Sequence, residues 1–283
     1  MGTLARALLI CTAVTVLTAP AAMAAPAPQV DTVSAADQQA ALAYWTPERM
    51  RQVGADSNVP GEQIAKPVAV PKGVGRFFFT EVPGQDSWCT ATAVPSSNRD
   101  TLITAAHCVH PGFTRNDVEI KVTNVVFVPG YDRGQAPHGV FAARAFLAPE
   151  EHGLTPNDVA MVVLNTRQGK HIADVAGTQK IAFGTRPAGN ASILGYPGST
   201  LAYGEFLMRC DVPVTFTQSS IGDYWNSPCD MAGGSSGGPW IAGGAIIAVT
   251  SRGGMDEDLH TTSLEGPTMG SVAKDVYQRA SGM

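Results

Sequence analysis

From residue 74 onward, apolar positions come in short runs with turn-forming residues between them. Segments 76–82, 90–94, 101–104, 118–122 and 125–128 are rich in β-branched and aromatic residues and are divided by Pro, Gly, Asn or Asp. Such residues suit a pleated, half-buried surface, so each segment is predicted to be a strand. Residues 159–164, Val-Ala-Met-Val-Val-Leu, are apolar without alternation, the pattern of a strand covered on both faces. A second series follows at 191–194, 206–214, 240–241 and 245–250. Helical spacing occurs over 269–280, where Val272, Val276 and Arg279 share a face. Strands at this spacing predict an all-β sandwich or a pair of barrels, closed by one short C-terminal helix. No internal repeat is visible.

The first 71 residues have a different texture. Arg6, the short apolar run 7–17 and Ala22-Met23-Ala24 have the form of a secretory signal over residues 1–24. The run is too short for a bilayer, which needs about 20 residues. Residues 25–71 open with alternating Ala and Pro and then offer one helical stretch over 47–53, with Thr46 as N-cap and Pro47 at the first helical position. Gly54, Pro60, Gly61, Pro67 and Pro71 predict an irregular linker after it. A pro-segment fits residues 25–71; an ordered extension kept in the mature protein is the other reading.

Composition narrows the class. The chain has 283 residues, is 44% hydrophobic and 15% charged, and carries a net charge of −5 with no basic block. That suits a globular body with a sizeable core and argues against nucleic acid as a partner. No later segment reads as a membrane span, so an exported protein without a membrane partner is expected. Of five cysteines, Cys11 lies in the signal, leaving Cys89, Cys108, Cys210 and Cys229. An even number in an exported chain predicts disulfides. Three pairings are possible. The favoured one joins Cys89 to Cys108 and Cys210 to Cys229, each 19 positions apart. A zinc site is the rival reading, and the absence of a Cys-x-x-Cys pair speaks against it.

Candidate chemistry lies in three places. Gly233-Gly-Ser-Ser-Gly-Gly-Pro-Trp240 offers a serine flanked by glycines, which permit tight turns and close approach of a substrate backbone. Alone it could be a linker. Upstream stand Thr104-Ala-Ala-His-Cys108 and Asn157-Asp-Val-Ala-Met161. A serine hydroxyl is a weak nucleophile until a base takes its proton and an acid orients that base, and these motifs supply His107 and Asp158. His110, His138, His152, His171 and His260 show no ligand spacing, and Asp117 and Asp132 read as solvated turn residues.

These motifs, in the order His, Asp, Ser, resemble the chymotrypsin-like serine peptidases. Phe127-Val-Pro-Gly-Tyr131 and Cys229-Asp-Met-Ala-Gly-Gly-Ser-Ser236 resemble more closely the secreted bacterial and fungal branch that includes glutamyl endopeptidases. The resemblance runs from about residue 74 to the C-terminus. It implies two six-stranded Greek-key β-barrels, 72–170 and 171–283, with the active site between them. It implies a catalytic triad of His107, Asp158 and Ser236, with Ser236 rather than Ser235 as nucleophile because it directly precedes Gly-Gly-Pro. It also implies an oxyanion hole from the N–H groups of Gly234 and Ser236. The sequence itself shows no cofactor or metal requirement.

Two departures stand out. Many members carry Asp before the nucleophile, where it pairs with a freed N-terminal amine on activation; here the residue is Ser235. The pocket strand, His-Trp-Gly-Gly in glutamyl endopeptidases, is here Ser251-Arg-Gly-Gly254. Arg252 would favour acidic side chains and Asp230 basic ones, or the two could pair, so Asp230, Ser251 and Arg252 leave the preference open. The function expected is a secreted, monomeric serine endopeptidase acting on proteins or peptides. The alternatives are a silent binding protein on the same fold and an esterase using the same triad.

Overall fold

In the computed structural model the described residues are Gly2, 27–53, 59–60, 64–82, 84–113, 116–150, 152, 156–187, 189–220 and 222–283. Apart from Gly2, the expected signal lies outside them. The chain begins with an arm of β1 (Gln29–Thr32), α1 (Ala35–Tyr44), α2 (Pro47–Gln52), β2 (Val59–Pro60) and β3 (Lys66–Pro67). Strands β4 (Val74–Glu81), β5 (Gln85–Ala93), β6 (Thr101–Thr104), β7 (Val122–Pro129), β8 (Phe141–Ala148) and β9 (Ala160–Leu164) form the first barrel. Their order is β8-β7-β4-β5-β6-β9, and β8 pairs with β9 to close the ring.

After α3 (Ile172–Ala176) the second half comprises β10 (Lys180–Ile181), β11 (Asn190–Gly195), β12 (Met208–Pro213), β13 (Thr215–Thr217), β14 (Tyr224–Ser227), β15 (Pro239–Ala242), β16 (Ala245–Val249), β17 (Arg252–Met255) and β18 (His260–Pro267). The chain ends in α4 (Ser271–Ser281). This second barrel is built from two sheets, β10-β16-β15-β11-β12-β3 and β13-β14-β18-β17, rather than one continuous hydrogen-bonded ring.

The apolar run in β4 shows why these strands lack alternation. Side chains of a strand point alternately to its two faces. Phe77 and Phe79 enter the first barrel's interior with Phe127 and Leu102, whereas Phe78 points outward into a cluster with Ala41, Trp45 and Met50 of the arm. Strand β9 repeats the arrangement. Val162 and Leu164 face the interior, while Met161 and Val163 pack against Val276 and Ala280 of α4. Each run is apolar throughout because the two chain ends cover the outer faces.

Of the linker expected after the helix, residues 54–58 and 61–63 lie outside the described residues, and the short strands β2 and β3 fall within the rest. The arm as a whole holds more regular structure than the one helix expected. Besides the helix over 47–52, capped by Thr46, it contains α1, whose N-cap Ser34 accepts from the Asp37 N–H. β1 extends the first barrel by pairing with β8, whereas β3 pairs with β12 of the second barrel. Sequence periodicity missed α1 because its apolar residues, mostly Ala, make a weak stripe.

Beneath the arm lies a buried guanidinium. Arg76 is fully enclosed between the rings of Phe78, Trp88 and Tyr131 and lies 3.6 Å from Glu205. Its Nη1 also reaches the Met50 carbonyl at 3.4 Å. Loss of hydration lowers its pKa to about 10, against the attraction of Tyr131 and Glu205.

Candidate active site

Residues 105–108 turn sharply out of β6, and Cys108 of that turn is bridged to Cys89 of β5. The turn presents His107. Its Nδ1 lies 2.8 Å from Asp158 Oδ2, and its backbone N–H donates to Asp158 Oδ1 at 2.9 Å. Asp158 is fully buried just before β9. Ser251, from the second barrel, donates its hydroxyl to Asp158 Oδ2 at 2.5 Å. Burial is the largest influence on this carboxyl and opposes its charge. The His107 ring and the bonds from His107 and Ser251 together prevail, holding its pKa below the usual aspartate value.

The serine loop is fixed from both barrels. The Thr90 N–H donates to the Ser236 carbonyl at 2.8 Å, and the Gly237 N–H to Thr250 at 2.8 Å. A side chain on Gly237 would collide with Thr104 Oγ1, and its Cβ would lie 2.9 Å from the Ala105 nitrogen. Ser236 is therefore pinned beside the turn that carries His107. Its neighbour Ser235 faces the other way, buried, with its hydroxyl donating to the Ala232 carbonyl at 2.5 Å.

Two donors of the loop are distinctive. The N–H groups of Ser235, Gly237 and Gly238 bond to backbone carbonyls, whereas those of Gly234 and Ser236 meet no acceptor among the described residues. The Gly233 carbonyl accepts from Gly198 at 2.7 Å. Because a trans peptide directs its C=O and N–H to opposite sides, the Gly234 N–H points away from Gly198. Gly234 has φ +86° and lies against Trp88 and the Tyr196 carbonyl, leaving no room for a side chain. Thr90 Oγ1 accepts from the Tyr196 N–H at 3.0 Å and donates to the Gly234 carbonyl at 2.9 Å. Nothing in the sequence singles out Thr90 or Trp88, because what matters about them is their pairing across the two barrels.

The three pocket candidates take other positions. Ser251 serves Asp158. Arg252 pairs with Glu265 at 2.5 Å on the adjacent strand, not with Asp230. Asp230 is buried and accepts the N–H groups of Ile64 at 2.8 Å and Ala65 at 3.0 Å. The expected bridges are present, with Cys210 joined to Cys229 in the second barrel. Among the described residues, Cys89 and Cys108 near His107, and Cys210 and Cys229 near Asp230, are the groups of three close enough to share a cation, but as disulfides the cysteines offer no thiolate.

The architecture is that of the chymotrypsin-like double β-barrel hydrolases. A trypsin-like peptidase domain matches residues 89–249, and the chain belongs to that family of serine peptidases. The protease Anisep from Arthrobacter nicotinovorans is similar at 30% identity and TM-score 0.68, over 77% of this chain and 100% of that one. A thermostable serine protease, AL20, from an extremophilic microorganism is 32% identical with TM-score 0.65, over 75% of this chain and 98% of that one. A Glu endopeptidase shares the fold at 20% identity and TM-score 0.61, over 82% of this chain and 100% of that one. No curated protein sequence matches significantly.

Proposed function

We propose that the protein is an exported serine endopeptidase that cleaves peptide bonds through an acyl-enzyme on Ser236. The observation that carries this reading is the Asp158 carboxylate, buried and bonded to both the ring and the backbone N–H of His107. An acid so placed fixes the imidazole with Nε2 free to accept a proton. Ser236 Oγ attacks the scissile carbonyl while His107 takes its proton, and the oxyanion is met by the Gly234 and Ser236 N–H groups. His107 then protonates the leaving amine, and water releases the acyl group by the same route in reverse. Two disulfides and the signal-like residues 1–24 support export.

The test is labelling with a fluorophosphonate probe together with turnover of casein and of a short-chain ester. Wild-type protein is expected to label and to degrade casein, and Ser236→Ala to do neither. Labelling that persists in Ser236→Ala would refute the nucleophile. Ester turnover without casein cleavage would make the protein an esterase.

A further inference from the structure

On that reading, one donor to the oxyanion is the Gly234 N–H, and its direction is set by the plane of the Gly233–Gly234 peptide. Both residues are glycine, whose backbone rotates at little steric cost, so that plane is not held by side chains of its own. Its orientation has to come from neighbouring segments. The Gly198 N–H holds the Gly233 carbonyl at 2.7 Å. Gly198 lies just after β11, and its position depends in turn on what fixes Tyr196 two residues earlier.

Two side chains of β5, in the first barrel, do so. Thr90 Oγ1 accepts the Tyr196 N–H at 3.0 Å, and the Trp88 indole N–H donates to the Tyr196 carbonyl at 2.9 Å. Residues 88 and 90 are two apart on one strand and project from the same face. The Thr90 hydroxyl also donates to the Gly234 carbonyl at 2.9 Å, which fixes the next peptide of the loop. Gly234 is thus held on both sides, one peptide plane through Gly198 and the other by Thr90 directly. The main chain of Thr90 adds to the hold, its N–H on the Ser236 carbonyl at 2.8 Å and its carbonyl accepting the Thr104 hydroxyl at 2.9 Å. Thr90 and Tyr196 are fully buried, so bulk water cannot replace these bonds.

We propose that Thr90, assisted by Trp88, is the positioning residue of the oxyanion hole, its hydroxyl reaching from the first barrel to keep the Gly234 N–H aimed at the developing charge. It touches neither the substrate nor the reacting atoms. The inference rests on acyl transfer at Ser236 and deepens that reading by naming what preorganises the hole. A donor that serves the charge of the transition state acts on the chemical step more than on substrate binding. Loss of the Thr90 hydroxyl therefore lowers kcat and leaves KM nearly unchanged.

Steady-state kinetics of the full-length protein on a quenched peptide spanning one of its cleavage sites in casein test this, with a boronate carrying the same acyl-side residues as a mimic of the tetrahedral intermediate. Thr90→Val keeps the shape and removes the hydroxyl. Its kcat is expected to fall about a hundredfold, the effect of losing one oxyanion donor, with KM within about twofold and boronate affinity falling in parallel. Thr90→Ser keeps a hydroxyl and is expected to recover kcat to within about threefold of wild type. Fluorophosphonate labelling to completion counts the folded sites of each variant. A folded Thr90→Val with wild-type kcat would overturn the proposal, as would a raised KM at unchanged kcat, or a Thr90→Ser as impaired as Thr90→Val. If Thr90→Val does not fold, Trp88→Phe decides: a lower kcat at constant KM supports the proposal, and an unchanged kcat overturns it. Wild-type protein that neither labels nor cleaves sinks the peptidase reading itself, an outcome distinct from an active enzyme indifferent to Thr90.

Discussion

The residue that decides most is Asp158, because one buried carboxylate serves both barrels. Asp158→Asn keeps the shape but favours the wrong imidazole tautomer; kcat is expected to fall about 10⁴-fold, the size of effect known for this change in a Ser-His-Asp triad. Single-turnover kinetics would show it. Ser235→Ala removes a hydroxyl bonded to the Ala232 carbonyl and should cost about 1 kcal/mol of stability while labelling survives. Loss of labelling in that variant, with the fold intact by circular dichroism, would move the nucleophile. The proposed triad is legible in the sequence because each candidate sits in a motif of its own. The role of the pocket candidates is not, because Asp230 and Arg252 take their partners from positions remote in sequence, Ile64, Ala65 and Glu265.

At the scale of elements, covering decides what the sequence reveals. The all-β body is legible from strand spacing, and the unbroken apolar run 159–164 marks a strand buried on both faces. What covers β9 is the C-terminal helix that the spacing of Val272 and Val276 predicts. The arm was harder to read. α1 is rich in Ala, and its anchor Trp45 is a single aromatic whose indole N–H reaches the Asn124 carbonyl. Trp45→Ala is expected to cost about 3–5 kcal/mol, read from urea unfolding. Replacing Cys89 and Cys108 together by Ala should cost about 3 kcal/mol by releasing a loop of that length. It should also lower kcat, since the bridge anchors the turn of His107. An unchanged kcat would show that Asp158 alone fixes that turn.

For the molecule as a whole, proton linkage sets the acid limit. Burial pushes the His110 pKa down, against the pull of Asp31, and the Asp158 pKa also lies below its ordinary value. In both cases the unfolded chain binds a proton before the folded one does. Each contribution is complete above the unfolded value, about 6.5 for His and 3.9 for Asp, and is lost as pH falls toward the folded one. Thermal midpoints measured from pH 7 to pH 3 should therefore decline in two stages, and His110→Asn should flatten the upper stage. A decline confined to the region below pH 4 would remove His110 from this account.

The two chain ends have a consequence for how long the molecule survives. The arm starts on the first barrel and threads β3 into the second, while α4 leaves the second barrel and docks on the first, with Ser97 and Asn98 bonded to Ser281 and Ala280. The barrels are thus held in a mutual clasp, and parting them requires both ends to let go in the same opening event. Where unfolding is irreversible, survival is governed by the barrier to such an opening rather than by the depth of the native well. An enzyme that degrades proteins is exposed to its own kind, and what protects it there is the rarity of opening.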